Sequence, residues 1–222
     1  YLDLMKEIDT VVLDKTGTLT KGVFKVQQVV MAENFDETQF IKLVSALESK
    51  STHPIALAIA EYAGEKVDNK HIQEVEEISG HGLKGKIDGF DVLAGNSKLL
   101  QKFNIPYDSK LDNIPETVVM VAINGQYKGL IVIADELKED AIETIRLLHQ
   151  LHLKVVMLSG DKNTVTQKVA DTLGIDEAFG GLLPEDKVNK VEELKSQKRK
   201  IAFVGDGVND APVLALADVG IA

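Results

Sequence analysis

The chain has 222 residues, 44% of them hydrophobic, and its 25 lysines and arginines against 35 aspartates and glutamates give a formal charge of −10. This composition is typical of a globular protein with one large domain or two small ones. The negative charge argues against a surface that grips nucleic acid or an anionic membrane. The lack of cysteine excludes disulfides, thiolate metal sites and cysteine nucleophiles, so any metal chemistry must use oxygen or imidazole ligands.

No apolar run approaches the roughly 18 residues needed to span a bilayer, so we expect the chain itself to be soluble. The sequence starts at Tyr1 without an initiator methionine, and it stops at Ala222 directly after a strand-like run. We therefore expect both ends to continue in a longer protein.

Three short apolar runs, each followed by a polar turn rich in glycine and aspartate, predict buried strands. The first, Thr10–Leu13, places Asp14 at its C-terminal end, and the other two are 154–159 and 200–204. Periodicity and capping residues predict helices at 137–151, at 163–173 before Gly174, and at 184–194 after Pro184. Alternating strands and helices predict an α/β fold with a parallel sheet, whose strand ends carry the ligand site.

The stretch from about 22 to 131 has a different pattern. It predicts helices at 36–47 and 54–60, followed by hairpins that turn at Asp88-Gly89 and Asn124-Gly125. We expect an α+β domain over 22–131, inserted into a discontinuous core domain formed by 1–21 and 132–222.

The segment DKTGTLT at 14–20 carries the first chemical prediction. A carboxylate at a strand end can attack a phosphoryl group, and the backbone amides of Thr16, Gly17 and Thr18 can form a nest for the product. An ordinary turn capped by Asp14 would suit the same residues, and the segment alone does not decide between the two.

Three other segments supply the remaining parts of a phosphoryl-transfer centre. Asp206 and Asp210, four residues apart among glycines, suit oxygen ligation of Mg2+. Ser159 and Gly160 offer a hydroxyl and amides at a third strand end, and Lys187 offers a cation in the first turn of its helix. A nucleophile, a divalent cation site, a polar cradle and a neutralising cation together predict phosphoryl transfer.

These segments resemble the phosphorylation domain of P-type ATPases, a branch of the haloacid-dehalogenase superfamily. The matching motifs are DKTGTLT at 14–20, SGD at 159–161, PEDK at 184–187 and GDGVNDAPVLALADVGIA at 205–222. The resemblance spans essentially the whole chain and implies a haloacid-dehalogenase-like core in which Asp14 is phosphorylated by ATP. It implies that Asp14, the Thr16 carbonyl and Asp206 hold Mg2+. The further catalytic residues that it implies are Lys15, Thr18, Ser159, Gly160, Asp161, Lys187, Asn209 and Asp210.

The inserted block resembles the nucleotide-binding domain of the heavy-metal-transporting P-type ATPases. The segment from Glu48 to Ile55 contains their Ser-x-His-Pro pattern, and Gly80-His81-Gly82 and Gly95-Asn96 are similar to their glycine-rich loops. The resemblance implies an ATP site that uses Glu48, His53, Gly80, Gly82 and Gly95. An imidazole at a helix start can stack on adenine or hydrogen-bond to it, although His53 also suits a plain helix entry before proline.

We therefore predict the ATP-binding, autophosphorylating unit of a heavy-metal pump on the cytosolic face of a membrane. Its partners would be ATP and the transmembrane and actuator domains of the same protein, with no nucleic acid. General resemblance favours zinc or cadmium as the transported ion over copper. A free-standing Mg2+-dependent phosphatase is the alternative, but such enzymes usually carry a second aspartate at the position of Thr16. A nucleotide-binding regulator without catalytic activity would lack some of the catalytic residues. The sequence contains all four of them: Asp14, Lys187, Asp206 and Asp210.

Overall fold

A computed structural model of the chain describes residues 2–32, 35–64, 71–207 and 209–222. They form two compact units, one from the N-terminus to Gly22 plus Asp135–Ala222, and the other from Val23 to Ala134. The predicted assignment of 1–21 and 132–222 to one functional domain and 22–131 to another stays a prediction, because compactness alone does not assign a role.

The secondary structure of the described residues begins with a short helix and ends with a short strand. In chain order, the helices and strands are α1 Leu2–Met5, β1 Thr10–Asp14, β2 Thr20–Met31, α2 Glu37–Glu48, α3 Pro54–Ala63, β3 Ile72–Ile78, β4 Gly82–Ile87, β5 Phe90–Gly95, α4 Ser97–Lys102, β6 Thr117–Ile123, β7 Gln126–Leu137, α5 Ala141–Gln150, β8 Lys154–Leu158, α6 Asn163–Leu173, β9 Glu177–Phe179, α7 Pro184–Ser196, β10 Ile201–Val204, α8 Ala211–Leu216 and β11 Val219–Ile221. No helix in the described ranges is long and apolar enough to cross a membrane.

The first unit contains a parallel five-stranded sheet in the order β11-β10-β1-β8-β9. Strand β1 lies at its centre and is buried on both faces, which explains its unbroken apolar run. Val11 and Leu13 pack in one cluster with α5 and α6, and Val12 packs in another with α7 and α8. The predicted α/β fold is confirmed, and the carboxyl ends of β1, β8 and β10 meet at one edge.

One predicted helix is wrong at its start. The expected helix over 137–151 begins only at Ala141, because Leu137 is the last residue of β7. The Lys138 amide donates a hydrogen bond to the Leu19 carbonyl at 2.9 Å, so the chain here is still held in an extended conformation. The other predicted helices differ from the observed ones by a few residues at their ends, or not at all for 163–173.

The second unit is built on a six-stranded sheet in the order β2-β7-β6-β5-β4-β3. The turns at Asp88-Gly89 and Asn124-Gly125 join antiparallel strands, and all four of their residues have positive φ, which confirms both predicted hairpins. Helices α2 and α3 pack on one face of this sheet and α4 packs on the other.

Candidate active site

Asp14 is the last residue of the central strand β1, and its side chain is only 8% exposed. Leu13 pairs with Val204 of β10, and Asp14 itself pairs with Leu158 of β8. The polar turns that begin at Ser159 and Gly205 therefore follow the two strands on either side of Asp14. This register brings the predicted segments to one edge of the sheet.

Lys187 links two of the predicted acids. Its Nζ lies 2.7 Å from Asp14 Oδ1 and 3.2 Å from Asp210 Oδ1. Pro184 starts α7 and the Leu183 amide donates to Asp186 Oδ2 at 2.9 Å, so the first helical turn that carries Lys187 is fixed locally. One ammonium group is thus shared by two largely buried carboxylates.

The electrostatics of this triplet follow from burial and charge. Burial raises the pKa of the Asp14 carboxyl, the Lys187 ammonium opposes that rise, and the charge of Asp210 adds to it, which leaves the pKa above its ordinary value. Partial burial lowers the pKa of Lys187, but the hydrogen bonds and charges of Asp14 and Asp210 outweigh it and raise that pKa. Lys187 therefore carries its charge at neutral pH.

Asp206 and Asn209 form a closed turn after β10. Asp206 Oδ1 accepts the Asn209 amide at 2.6 Å, and Oδ2 accepts the Asn209 side-chain Nδ2 at 2.8 Å. The Asp206 amide in turn donates to Asp210 Oδ2 at 3.2 Å. A Cβ on Gly205 would lie 2.4 Å from Asp210 Oδ2, so only glycine fits there. Val208, within the same motif, lies outside the described residues.

The turn from Lys15 to Leu19 differs in one detail from the predicted anion nest. Gly17 has φ +79°, and Thr16 and Gly17 are exposed, as a binding turn requires. The Gly17 amide, however, donates to the Thr20 hydroxyl at 3.1 Å. This donor is thus already used within the turn, and Thr18 is partly buried beside it.

Lys15 and Asp161 form an ion pair. The Lys15 side chain is 3% exposed, and its Nζ lies 2.9 Å from Asp161 Oδ2. Ser159 is buried, and its hydroxyl accepts the Asp161 amide at 3.0 Å, while Gly160 is exposed between them. These contacts therefore link the segment after β8 to Lys15, the residue that follows Asp14.

The chemistry of the predicted metal ligands fits Mg2+. Asp14, Asp206 and the Thr16 carbonyl would offer only oxygen, which is what this hard cation prefers. Within the described ranges no group of three or more histidine or acidic side chains has the arrangement of a metal site.

His53 and Glu48 lie on neighbouring elements of the second unit. His53 caps α3, and its Nδ1 accepts the Ile55 amide at 3.2 Å, which leaves the Nε2 edge of this exposed ring without a part in the cap. Glu48 ends α2 with 8% exposure, and burial, with a smaller contribution from the charge of Glu77, raises its pKa to about 7. Glu77 and Lys50 both line a cleft of about 420 Å³.

The predicted glycines lie together around one strand pair. Gly82 of β4 pairs with Gly95 of β5, and the Asn96 side chain donates to the Gly80 carbonyl at 2.8 Å. A Cβ on Gly82 would lie 2.3 Å from the Ala94 carbonyl oxygen, and one on Gly95 would lie 2.1 Å from the His81 carbonyl oxygen. No hydrogen bond or ion pair of the described residues joins this group to His53.

Residues 8–218 match the profile of the haloacid dehalogenase-like hydrolases. The chain belongs to this family. Among curated proteins, it is 48% identical over its whole length to a zinc-transporting ATPase of Synechocystis sp. and covers 31% of that protein. It is 40% identical to a cadmium, zinc and cobalt-transporting ATPase of Bacillus subtilis, again over its whole length and covering 32% of the relative. It thus spans about a third of the length of these relatives.

Solved structures show the same relationship. A crystal structure of a zinc-transporting PIB-type ATPase in the E2.Pi state superposes with a TM-score of 0.84 at 32% identity, over 99% of this chain and 36% of that one. The catalytic domain of the CPx-ATPase CopB-B gives a TM-score of 0.74 at 34% identity, over 99% of this chain and 81% of that one. This haloacid dehalogenase-like hydrolase therefore corresponds to the catalytic part of heavy-metal P-type ATPases.

Two further residues beside the turn that follows Asp14 were not predicted. Thr20 is buried, the Asp135 side chain is 7% exposed, and the Thr20 hydroxyl donates to Asp135 Oδ2 at 2.6 Å. Asp135 follows the apolar run 129–134 just as Asp14 follows its own strand run. The pattern that indicated Asp14, an aspartate after an apolar run, was therefore also a signal for Asp135 in the sequence.

Proposed function

We propose that this chain is the ATP-binding, self-phosphorylating unit of a heavy-metal cation-transporting P-type ATPase, with Asp14 as the phosphorylated residue. The observation that carries the proposal is the buried Asp14 carboxylate at the end of the central strand, 2.7 Å from the Lys187 ammonium. A nucleophilic carboxylate must be ionised, and this ammonium counters the effect of burial on its pKa.

In the proposed reaction an Asp14 carboxylate oxygen attacks the γ-phosphorus of ATP. A bond forms between that oxygen and phosphorus, the bond to the β–γ bridging oxygen breaks, and ADP leaves with the electron pair. Lys187 neutralises the transferred phosphoryl group, while Thr18, Ser159 and Gly160 bind its oxygens. Asn209 fixes the Asp206 carboxylate and Asp210 fixes Lys187.

Mg2+ would be held by Asp14, the Thr16 carbonyl and Asp206, and would supply further charge neutralisation to the phosphoryl oxygens. Oxygen ligands on two adjacent strand ends support this assignment.

We further propose that residues 22–131 bind the nucleotide through Glu48, His53, Gly80, Gly82 and Gly95, and that 1–21 with 132–222 carry the phosphorylation chemistry. The cleft beside Glu77 and the outward Nε2 edge of His53 support a ligand site in this block. The partners would be the transmembrane and actuator domains of the full-length protein, at the cytosolic face of a membrane.

The transported ion would be zinc or cadmium, since the relative at 48% identity is named a zinc-transporting ATPase. Copper is the alternative, because a copper-exporting P-type ATPase of Legionella pneumophila is 40% identical over the whole chain. Selection would occur in the membrane part of the pump, outside this chain.

The test is single-turnover labelling with γ-labelled ATP and Mg2+, quenched in acid. We expect a hydroxylamine-labile phosphoryl group on the wild type and on Asp171→Asn, a surface control on α6, and none on Asp14→Asn. Undiminished labelling of Asp14→Asn would overturn the assignment.

Since Thr16 cannot activate water, we also expect slow loss of the label, whereas loss at roughly 1–10³ per second would favour a free-standing phosphatase.

A further inference from the structure

Asp135, on β7, lies beside the turn that follows Asp14 but has no part in the proposed transfer. Its side chain is 7% exposed, and its Oδ2 accepts the Thr20 hydroxyl at 2.6 Å. The Thr20 oxygen in turn accepts the Gly17 amide at 3.1 Å. A chain of two hydrogen bonds therefore runs from Asp135 to the middle of the turn that follows Asp14.

The same carboxylate also lies near Lys15. Lys15 Nζ is 3.9 Å from Asp135 Oδ2 and 2.9 Å from Asp161 Oδ2. Asp135 thus faces both ends of the turn, with Lys15 at the start and Thr20 directly after its last residue. A turn held at both ends has few alternative conformations, and Gly17 at its centre would otherwise permit many.

Asp135 keeps this position at an energetic disadvantage. Its Oδ1 is buried and has no hydrogen-bond donor among the described residues. A buried acceptor without a partner lowers the stability of the fold, and a charged one lowers it further. The Thr20 hydrogen bond and the charge of Lys15 offset part of that loss, and these two contacts are the ones that hold the turn 15–19.

We propose that Asp135 is a positioning residue for phosphorylation, which acts through Thr20 and Lys15 to hold the turn 15–19 in the geometry that transfer to Asp14 requires. The inference rests on the proposed function of Asp14. Asp135 itself touches neither the nucleotide nor the phosphoryl group. Its loss should lower the rate constant of phosphorylation and leave the ATP dissociation constant unchanged, because the proposed ATP-binding residues lie in the other unit.

The experiment is a double-mutant cycle between Asp135→Asn and Thr20→Val, read as the single-turnover rate constant of acyl-phosphate formation per folded molecule. We expect each single variant to be slower by roughly 10- to 100-fold, the scale of a misplaced reacting group. The double variant should be no slower than the slower single variant, because both changes break one chain. Thr20→Ser keeps the hydroxyl and should restore most of the rate.

Asp218→Asn is the matched control. Asp218 accepts the Ile201 amide at 2.8 Å in the same unit, so its loss should lower the unfolding midpoint without changing the rate constant per folded molecule. Wild-type rates in Asp135→Asn, or a double variant whose loss is the product of the two single losses, would overturn the inference. If Asp135→Asn does not fold, equal rates in Thr20→Val and Thr20→Ser overturn it. Failure of the wild type to form any acyl phosphate would instead overturn the proposed function.

Discussion

Glu48 shows how a single buried side chain links the structure to solution conditions. It is the last residue of helix α2 and is 8% exposed. Burial, with the nearby charge of Glu77, raises its pKa from 4.5 to about 7. Between about pH 4.5 and about pH 7 the folded chain therefore favours the neutral carboxyl, whereas the unfolded chain favours the ionised one.

This shift predicts a stability that falls as pH rises. Between about pH 4.5 and about pH 7 the folded state holds a proton that the unfolded state has lost, so the free energy of unfolding decreases, by up to about 3 kcal/mol in total. Glu48→Gln is neutral at every pH and should flatten this slope and be the more stable protein at pH 8. Urea unfolding, monitored by circular dichroism at a series of pH values, measures the slope and the stability at pH 8.

The exposed Glu37, at the other end of α2, supplies the control, and Glu37→Gln should keep the wild-type slope. An unchanged slope in Glu48→Gln would mean that Glu48 is already ionised in the folded chain at neutral pH.

At the scale of elements, the start of α3 combines two roles in one ring. His53 Nδ1 caps the helix by accepting the Ile55 amide, while its other edge is proposed to meet adenine. His53→Asn keeps a good capping acceptor and removes the ring, whereas His53→Ala removes both. Comparing the two substitutions therefore separates the contribution of His53 to the stability of α3 from its contribution to ATP binding.

We expect His53→Asn to retain near wild-type stability and His53→Ala to lose about 1 kcal/mol. Both should bind ATP more weakly by about 1–2 kcal/mol, the size of one lost ring or hydrogen-bond contact. Calorimetric titration measures the affinity and thermal unfolding measures the stability. Wild-type ATP affinity in His53→Asn would remove His53 from the nucleotide site.

The pairing of β4 with β5 gives the two facing glycines a structural role that needs no ligand. An added Cβ on Gly82 or Gly95 would meet backbone oxygen within 2.3 Å, whereas at Gly80, with φ +70°, it would meet nothing within 4 Å. Gly82→Ala and Gly95→Ala should therefore lower the free energy of unfolding by at least about 2–3 kcal/mol. Gly80→Ala should lose only about 1 kcal/mol, from its backbone conformation. Equal losses at all three positions, measured by urea unfolding, would contradict this packing.

How far the sequence predicts these features depends on the range of the interactions. Strand β1, helix α6 and both hairpins follow from residues close in sequence, and they were predicted with small errors. The start of α5 was missed because the extended chain at Lys138 is fixed by a hydrogen bond to Leu19, far away in sequence. The contact between Thr20 and Asp135 joins residues 115 apart. Local periodicity carries no information about such a pair.

The chain as a whole carries a net charge of −10, and the charged groups around the candidate active site, at one edge of the parallel sheet, are also negative in sum. The carboxylates of Asp14, Asp135, Asp161, Asp206 and Asp210 outnumber the ammonium groups of Lys15 and Lys187 by three. A phosphoryl donor that approaches this edge meets net negative charge, so the proposed reaction depends on a divalent cation that neutralises both partners.

The most direct measurement locates that group chemically. The chain is incubated with ATP and Mg2+, quenched in acid, reduced with borohydride and digested, and the peptides are sequenced by mass spectrometry. Reduction converts an aspartyl phosphate to homoserine, so we predict homoserine at position 14 only in the ATP-treated sample. A phosphoryl group on another residue, or unmodified Asp14 in a chain that binds ATP with Mg2+, would contradict the proposed function.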